Sequence, residues 1–220
     1  MVHFDEALRR YYDDRASVYD DMYLRRDSTW RRDLESLADE MAKALTGRSV
    51  LEIACGTGFW TEIAAKTATR IVAVDASERM LELARIREKR NANVDYILGD
   101  AYALKKVTGK FDAGLANFWF SHVPKSRIEE FLSGFESKLE KPSIVFMADN
   151  RYVLGIGGQL ITKPGIEDTF KLREGADGSE HEVLKNYYDR KTLERIFSHR
   201  TPDLKIHETL YYWSVQYAIV

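Results

Sequence analysis

Apolar residues at Leu34, Leu37, Ala38, Met41 and Leu45 recur every three or four positions, which predicts a helix over 28–45. The pattern then changes. Ser49–Ala54 is a short apolar run that reaches the turn Gly56-Thr57-Gly58, after which Trp60, Ile63, Ala64 and Thr67 return to helical spacing. The same order repeats: Ile71–Asp75 reads as a strand, Ser77 as an N-cap, and Met80, Leu83 and Ala84 as one face of a helix. Val94–Ile97, Phe111–Ala116 and Ile144–Met147 predict three further strands, with a helix at about 125–138 between the last two.

Strands that alternate with helices imply a mostly parallel sheet covered on both faces. The predicted fold is therefore α/β, a Rossmann-like sheet of about seven strands. Ahead of it, residues 5–24 mix charge with Tyr11, Tyr12, Tyr19 and Tyr23, whose spacing fits a helix. After Asp149 the alternation stops. Gly155, Gly157, Gly158, Pro164 and Gly165 crowd one stretch, and a hairpin turn is predicted at Gly175–Gly178. The chain 1–220 is thus read as one domain: a helical cap over 1–45, a core over 46–150, an insertion over 151–188, and a helix near 190–199 followed by strand-like Leu204–Val220.

Composition narrows the partners. Lys plus Arg total 33 against 35 Asp plus Glu, so no strong field favours nucleic acid or an anionic membrane. Cys55 is the only cysteine, which excludes an internal disulfide and fits a reducing, cytoplasmic setting. Neither a secretory leader nor an apolar run of about 18 residues is present in the sequence. Arg85, Arg87, Lys89 and Arg90 are interleaved with Glu82 and Glu88 and read as a solvated helix face. His3, His181, His199 and His207 lack metal-ligand spacing, so no metal is expected.

In open α/β sheets ligands sit beyond the carboxyl ends of the strands, and four such ends carry chemistry here. The first is Glu52-Ile-Ala-Cys-Gly-Thr-Gly58, with small residues where a backbone approaches a ligand. The second is Asp75-Ala76, 17 residues past Gly58, near the ~20-residue spacing of an acid that receives ribose hydroxyls. The third is Asp100-Ala101, a carboxylate suited to an adenine amine, with Met80 as a cover for the ring. Asn117 ends the fourth. Phe59 and Trp60 put bulk where a dinucleotide would lay its pyrophosphate, so an adenosine cofactor without phosphate fits better.

These motifs, over roughly residues 45–150, resemble the class I S-adenosylmethionine (SAM)-dependent methyltransferases. Ala54 stands where that family commonly has glycine, although Ala-Cys-Gly-Thr-Gly also occurs in it, as in members resembling glycine N-methyltransferase. The resemblance implies a SAM site at Glu52, Ala54, Cys55, Gly56, Gly58, Asp75, Ala76, Met80, Asp100, Ala101 and Asn117, with S-adenosylhomocysteine (SAH) as product. It also implies that the N-terminal segment folds over the cofactor, with Tyr19 and Trp30 in contact. His122 is the candidate catalytic base, weighed against a packing role at the start of the next helix. Trp119, Asp149 and Tyr152 are candidates for the acceptor wall.

The expected reaction is direct in-line methyl transfer to a nitrogen or oxygen of a small molecule. The alternatives are a SAM-binding sensor without turnover, a nicotinamide oxidoreductase, and a nucleic-acid methyltransferase. The last lacks an Asn-Pro-Pro-aromatic motif, since Asn117-Phe-Trp-Phe120 is different.

Overall fold

The computed structural model describes residues 2–24, 27–87, 92–174 and 178–220. Helix α1 (Val2–Arg15) runs into a 3₁₀ segment (Ala16–Leu24), and α2 (Ser28–Leu45) follows, capped by Asp27, whose carboxylate accepts from Trp30 N at 2.7 Å. The core then alternates β1 (Ser49–Ile53), α3 (Phe59–Ala65), β2 (Arg70–Asp75), α4 (Glu78–Arg87), β3 (Val94–Leu98), β4 (Ala113–Asn117), α5 (Ile128–Glu136) and β5 (Ser143–Asn150). Three strands, β6 (Ile161–Lys163), β7 (Ile166–Glu174) and β8 (Glu180–Leu184), precede α6 (Arg190–Phe197), β9 (Lys205–Glu208) and β10 (Tyr212–Ile219).

The main sheet has seven strands in the order β3-β2-β1-β4-β5-β10-β9. The first five are parallel, and β10 runs antiparallel to both β5 and β9. Strand order reverses between β1 and β4, and a crevice opens at the carboxyl ends of such a pair. Alternation along the strands sends Val50, Ile71 and Leu115 to one face and Leu51, Val72 and Ala116 to the other. Leu37, Met41 and Leu45 of α2 and Trp60 of α3 cover the first face; Phe131 and Phe135 of α5 with Leu193 and Phe197 of α6 cover the second.

Three expectations gain detail. The N-terminal tyrosines do not share one α-helix, because the chain tightens to 3₁₀ geometry from Ala16 and carries Tyr19 and Tyr23 on a different winding. They still meet in a chain of edge-on rings: Tyr12–Tyr19 at 5.6 Å and Tyr19–Tyr23 at 6.2 Å. The C-terminal run makes two strands, β9 and β10. The insertion is a separate three-stranded antiparallel sheet, β6-β7-β8. The turn residues 175–177 of its hairpin, like Glu88, Lys89 and Arg90 of the basic run, lie outside the described residues.

Candidate active site

At the β1 end the backbone is held by a carboxylate. Gly56 N donates to Asp75 Oδ2 at 2.8 Å and Ser77 N to Oδ1 at 2.9 Å, so the acid at the β2 tip fixes the neighbouring loop and keeps lone pairs for a ligand. Burial pushes the Asp75 carboxyl above its usual value, against the pull of these N–H donors. Gly56 (φ +56°) has nothing within 4 Å of an added Cβ, which would stand in the open cleft. Gly58 (φ +77°) has a different purpose. Its missing Cβ would lie 3.0 Å from Ala84 Cβ and 3.1 Å from Tyr96 Oη, so it admits α4 and β3 rather than a ligand.

Two non-glycine residues also take left-handed φ, Ala54 at 55° at the end of β1 and Phe118 at 58° at the end of β4. Such backbone costs of order 1–3 kcal/mol and persists where its surroundings fix it. Phe118 is fixed twice, by Phe118 N donating to Ala148 O at 2.7 Å and by its ring stacking on Trp60 at 5.5 Å. The two residues flank the crevice where strand order reverses.

The crevice is a cavity of about 570 Å³, a size suited to a cofactor. Its walls bring together Ala54, Gly56, Asp75, Ala76 and Met80 from the first two strand ends. Asp100 and Ala101 join from the third, Asn117, Trp119 and His122 from the fourth, and Tyr12 and Tyr19 roof it. Asn117 Oδ1 is buried with no hydrogen-bond partner among the described residues, an acceptor awaiting a donor in the cleft. The roof is tied down by polar contacts: Asp13 accepts from the Ser77 hydroxyl, and Asp20 accepts from Thr57 Oγ1 at 2.6 Å and pairs with Arg87.

Other expected residues fall elsewhere. Glu52 is buried within β1, and Cys55 belongs to the core under the loop, its thiol pushed up by burial and by the Asp75 charge. Trp30 packs on Tyr211 (4.8 Å) and Tyr212 (5.2 Å) and lines a second cavity, not the cofactor cleft. Trp119 faces the cofactor cleft, whereas Tyr152 is 41% exposed and stands edge-on to Tyr187 at 5.3 Å. Asp149 is fully buried. It accepts from Ser121 N at 2.8 Å and pairs with Lys185 Nζ at 3.1 Å, and although burial would raise its pKa, the Lys185 charge holds it below the usual carboxylate value.

His122 has both ring nitrogens engaged. Nδ1 lies 2.7 Å from the Leu184 carbonyl oxygen, which can only accept, so the ring proton is assigned to Nδ1, and Nε2 accepts from the Tyr12 hydroxyl at 2.8 Å. Burial first, then the Lys185 charge, push its pKa down to about 3. The ring is placed to hold Tyr12.

The second cavity, about 200 Å³, lies between the roof and the inserted sheet. Tyr12, Tyr19, Phe118 and His122 line both cavities and form their junction. The remaining wall includes Arg15, Arg151, Lys171, Arg173, Lys185 and Tyr187, none of which sequence reasoning singled out. The only sequence signal was their charge, scattered over a cap and an insertion. Among the described residues there is no cluster suited to a metal ion, and no helix is long and apolar enough to cross a membrane.

Comparison with known proteins agrees with the strand-end motifs. A family described as a methyltransferase domain matches residues 50–141. A malonyl-(acyl-carrier protein) O-methyltransferase of Halalkalibacterium halodurans is 30% identical over 216 residues, 92% of this chain and 74% of the relative. A demethylmenaquinone methyltransferase of Renibacterium salmoninarum is 32% identical over 139 residues, 57% of this chain and 56% of the relative. The chain spans about half the length of the demethylmenaquinone methyltransferases it matches. Among solved structures, a DhpI–SAH complex aligns with a TM-score of 0.78 at 23% identity, covering 98% of this chain and 97% of that one, a likeness of fold.

Proposed function

The chain belongs to the class I SAM-dependent methyltransferases, and from that premise we propose that it transfers the methyl group of SAM to a nitrogen or oxygen of a small molecule held in the second cavity. The observation that carries this reading is the junction. A cleft shaped for an adenosine cofactor and a smaller cavity meet at Tyr12, Tyr19, Phe118 and His122. A binding module without turnover would need only the first.

The residues present fit the cofactor. Asp75 keeps lone pairs for two ribose hydroxyls, Asp100 is placed for the adenine amine, and Met80 and Ala101 offer apolar surface for the ring. The unpartnered Asn117 Oδ1 suits the ammonium of the amino-acid end. SAM, when bound, supplies a methyl already activated on a sulfonium. The chain's share of the work is then alignment and exclusion of water. The tyrosine roof excludes solvent, and Tyr12, fixed by His122, presents its hydroxyl at the junction. In this reading His122 is a positioning residue. Its earlier candidacy as a base gives way to the occupancy of both its nitrogens. A single buried thiol and nearly balanced charge support a cytoplasmic setting without a nucleic-acid partner.

Calorimetric titration with SAM, SAH and NADH tests the premise, with Asp75→Ala as control. Binding of the two sulfur ligands, weakened about 100-fold in the variant through loss of charge-assisted hydrogen bonds, is the expected result. Binding of NADH alone would overturn it.

A further inference from the structure

The second cavity is unusual in its charge. Five cationic side chains reach its wall, Arg15, Arg151, Lys171, Arg173 and Lys185, and among the described residues no carboxylate does. Two of the five are compensated from behind: Lys185 by Asp149 at 3.1 Å, and Arg151 by Glu208 at 3.4 Å and by the Thr209 carbonyl. Three are not. Arg15 donates to Tyr11 Oη at 3.1 Å, a neutral partner, and Lys171 donates to the Gly157 carbonyl. Arg173 has no ion-pair partner among the described residues.

The arrangement is built by the inserted sheet. Lys171 and Arg173 are two apart on β7, Val183 lies on the facing β8 and Lys185 follows two residues later, and Lys171 pairs with Val183 in register. All four line the cavity, as residues two apart on a strand share a face. Lys171 is only 4% exposed, and burial together with the nearby Arg173 and Lys185 charges lowers its pKa to about 8. Like charges gathered in one pocket repel one another, and an anion seated among them offsets that repulsion.

We propose that this cavity binds a multiply charged oxyanion of the methyl acceptor, a phosphate- or phosphonate-type group, between Lys171, Arg173 and Arg15. The inference rests on the methyltransferase reading and names the acceptor class for it. A tetrahedral dianion matches the surplus better than a carboxylate, because three uncompensated cations exceed one negative charge and each guanidinium grips two oxygens at once. The cavity volume of about 200 Å³ suits a small group, and the Tyr187 ring lies in its wall beside Lys171 at 5.2 Å and Lys185 at 5.9 Å.

The test uses full-length protein saturated with SAH and titrated calorimetrically with inorganic phosphate and with acetate, then repeated on Arg173→Gln and Arg15→Gln. Phosphate is expected to bind at least about tenfold tighter than acetate and to weaken about tenfold in each variant, with SAH affinity unchanged. Intact SAH binding without phosphate binding overturns the proposal and leaves the methyltransferase reading standing. So does phosphate binding that neither variant weakens, or acetate binding as tight as phosphate. Loss of SAH binding in the parent protein removes the reading underneath instead. The two arginine variants lie on different elements, so a folding defect in one leaves the other decisive.

Discussion

The two cavities meet at one junction, yet they are made in opposite ways. The cofactor cleft is assembled from four consecutive strand ends, with one buried carboxylate, backbone amides and apolar cover. The second cavity, proposed here to hold the acceptor, draws its wall from α1, the end of β5, β7 and the chain leaving β8, and it is dominated by cations. The cleft is therefore a property of the doubly wound sheet, and the acceptor cavity a property of what has been added to it. Chemistry common to a family can stay in the first while selectivity changes in the second.

Substitutions that separate the two halves sharpen this contrast. The largest effect is expected beneath the acceptor cavity. Lys185→Met leaves Asp149 charged and fully buried, and breaking such a pair costs about 3–5 kcal/mol, read as a lowered urea midpoint. The double variant Asp149→Asn with Lys185→Met should recover much of that loss, since no buried charge is stranded. If Lys185→Met unfolds no more easily than the parent, the pair does not support the site as described.

A second effect depends on pH. The pKa of His122 is lowered from 6.5 to about 3 in the folded protein, so between those values the unfolded chain holds more protons. Stability from this group is present above about pH 6.5 and is lost as pH falls toward 3, by up to about 1.4 kcal/mol per unit. His122→Gln, which can still donate to Leu184 O and accept from Tyr12, should flatten that slope in denaturation curves recorded from pH 7 down to 4. An unchanged slope would assign the acid sensitivity to other groups.

The smallest effect is at the junction. Tyr12→Phe removes the hydroxyl that donates to His122 Nε2, at a cost of about 1 kcal/mol of stability. With SAH affinity kept, a fall in kcat/KM for the methyl acceptor would mark Tyr12 as part of the acceptor side. Equal loss on both cavities would break the division drawn between them.

The same contrast explains what could be read from the sequence. The convergence of Gly56, Asp75 and Asp100 was legible because each lies at or just past the end of a strand whose apolar run is local, and the order of strands fixes where those ends meet. The left-handed φ of Phe118 was not, and Ala54 was placed in the turn only through the glycine that the family commonly has there. Gly58 lies in the expected turn, but the atoms its missing Cβ makes room for, Ala84 and Tyr96, lie on later elements that its local sequence does not reveal. The position of His122 followed from β4, but its partner Leu184 is 62 residues away. The cations of the acceptor cavity needed the register that sets Lys171 opposite Val183, and a glycine-rich insertion gives no periodicity from which to infer it.

The roof has one more consequence. Asp13, Asp20, Thr57, Ser77 and Arg87 fasten it through charged and hydroxyl groups that water can replace one by one, whereas the sheet below is sealed by aromatic and aliphatic packing. Tyr12 belongs to the roof and walls both cavities, so under the proposed reading one cover stands over both ligands. Its fastenings are charged where those of the sheet are apolar, so added salt is expected to loosen the roof before the sheet.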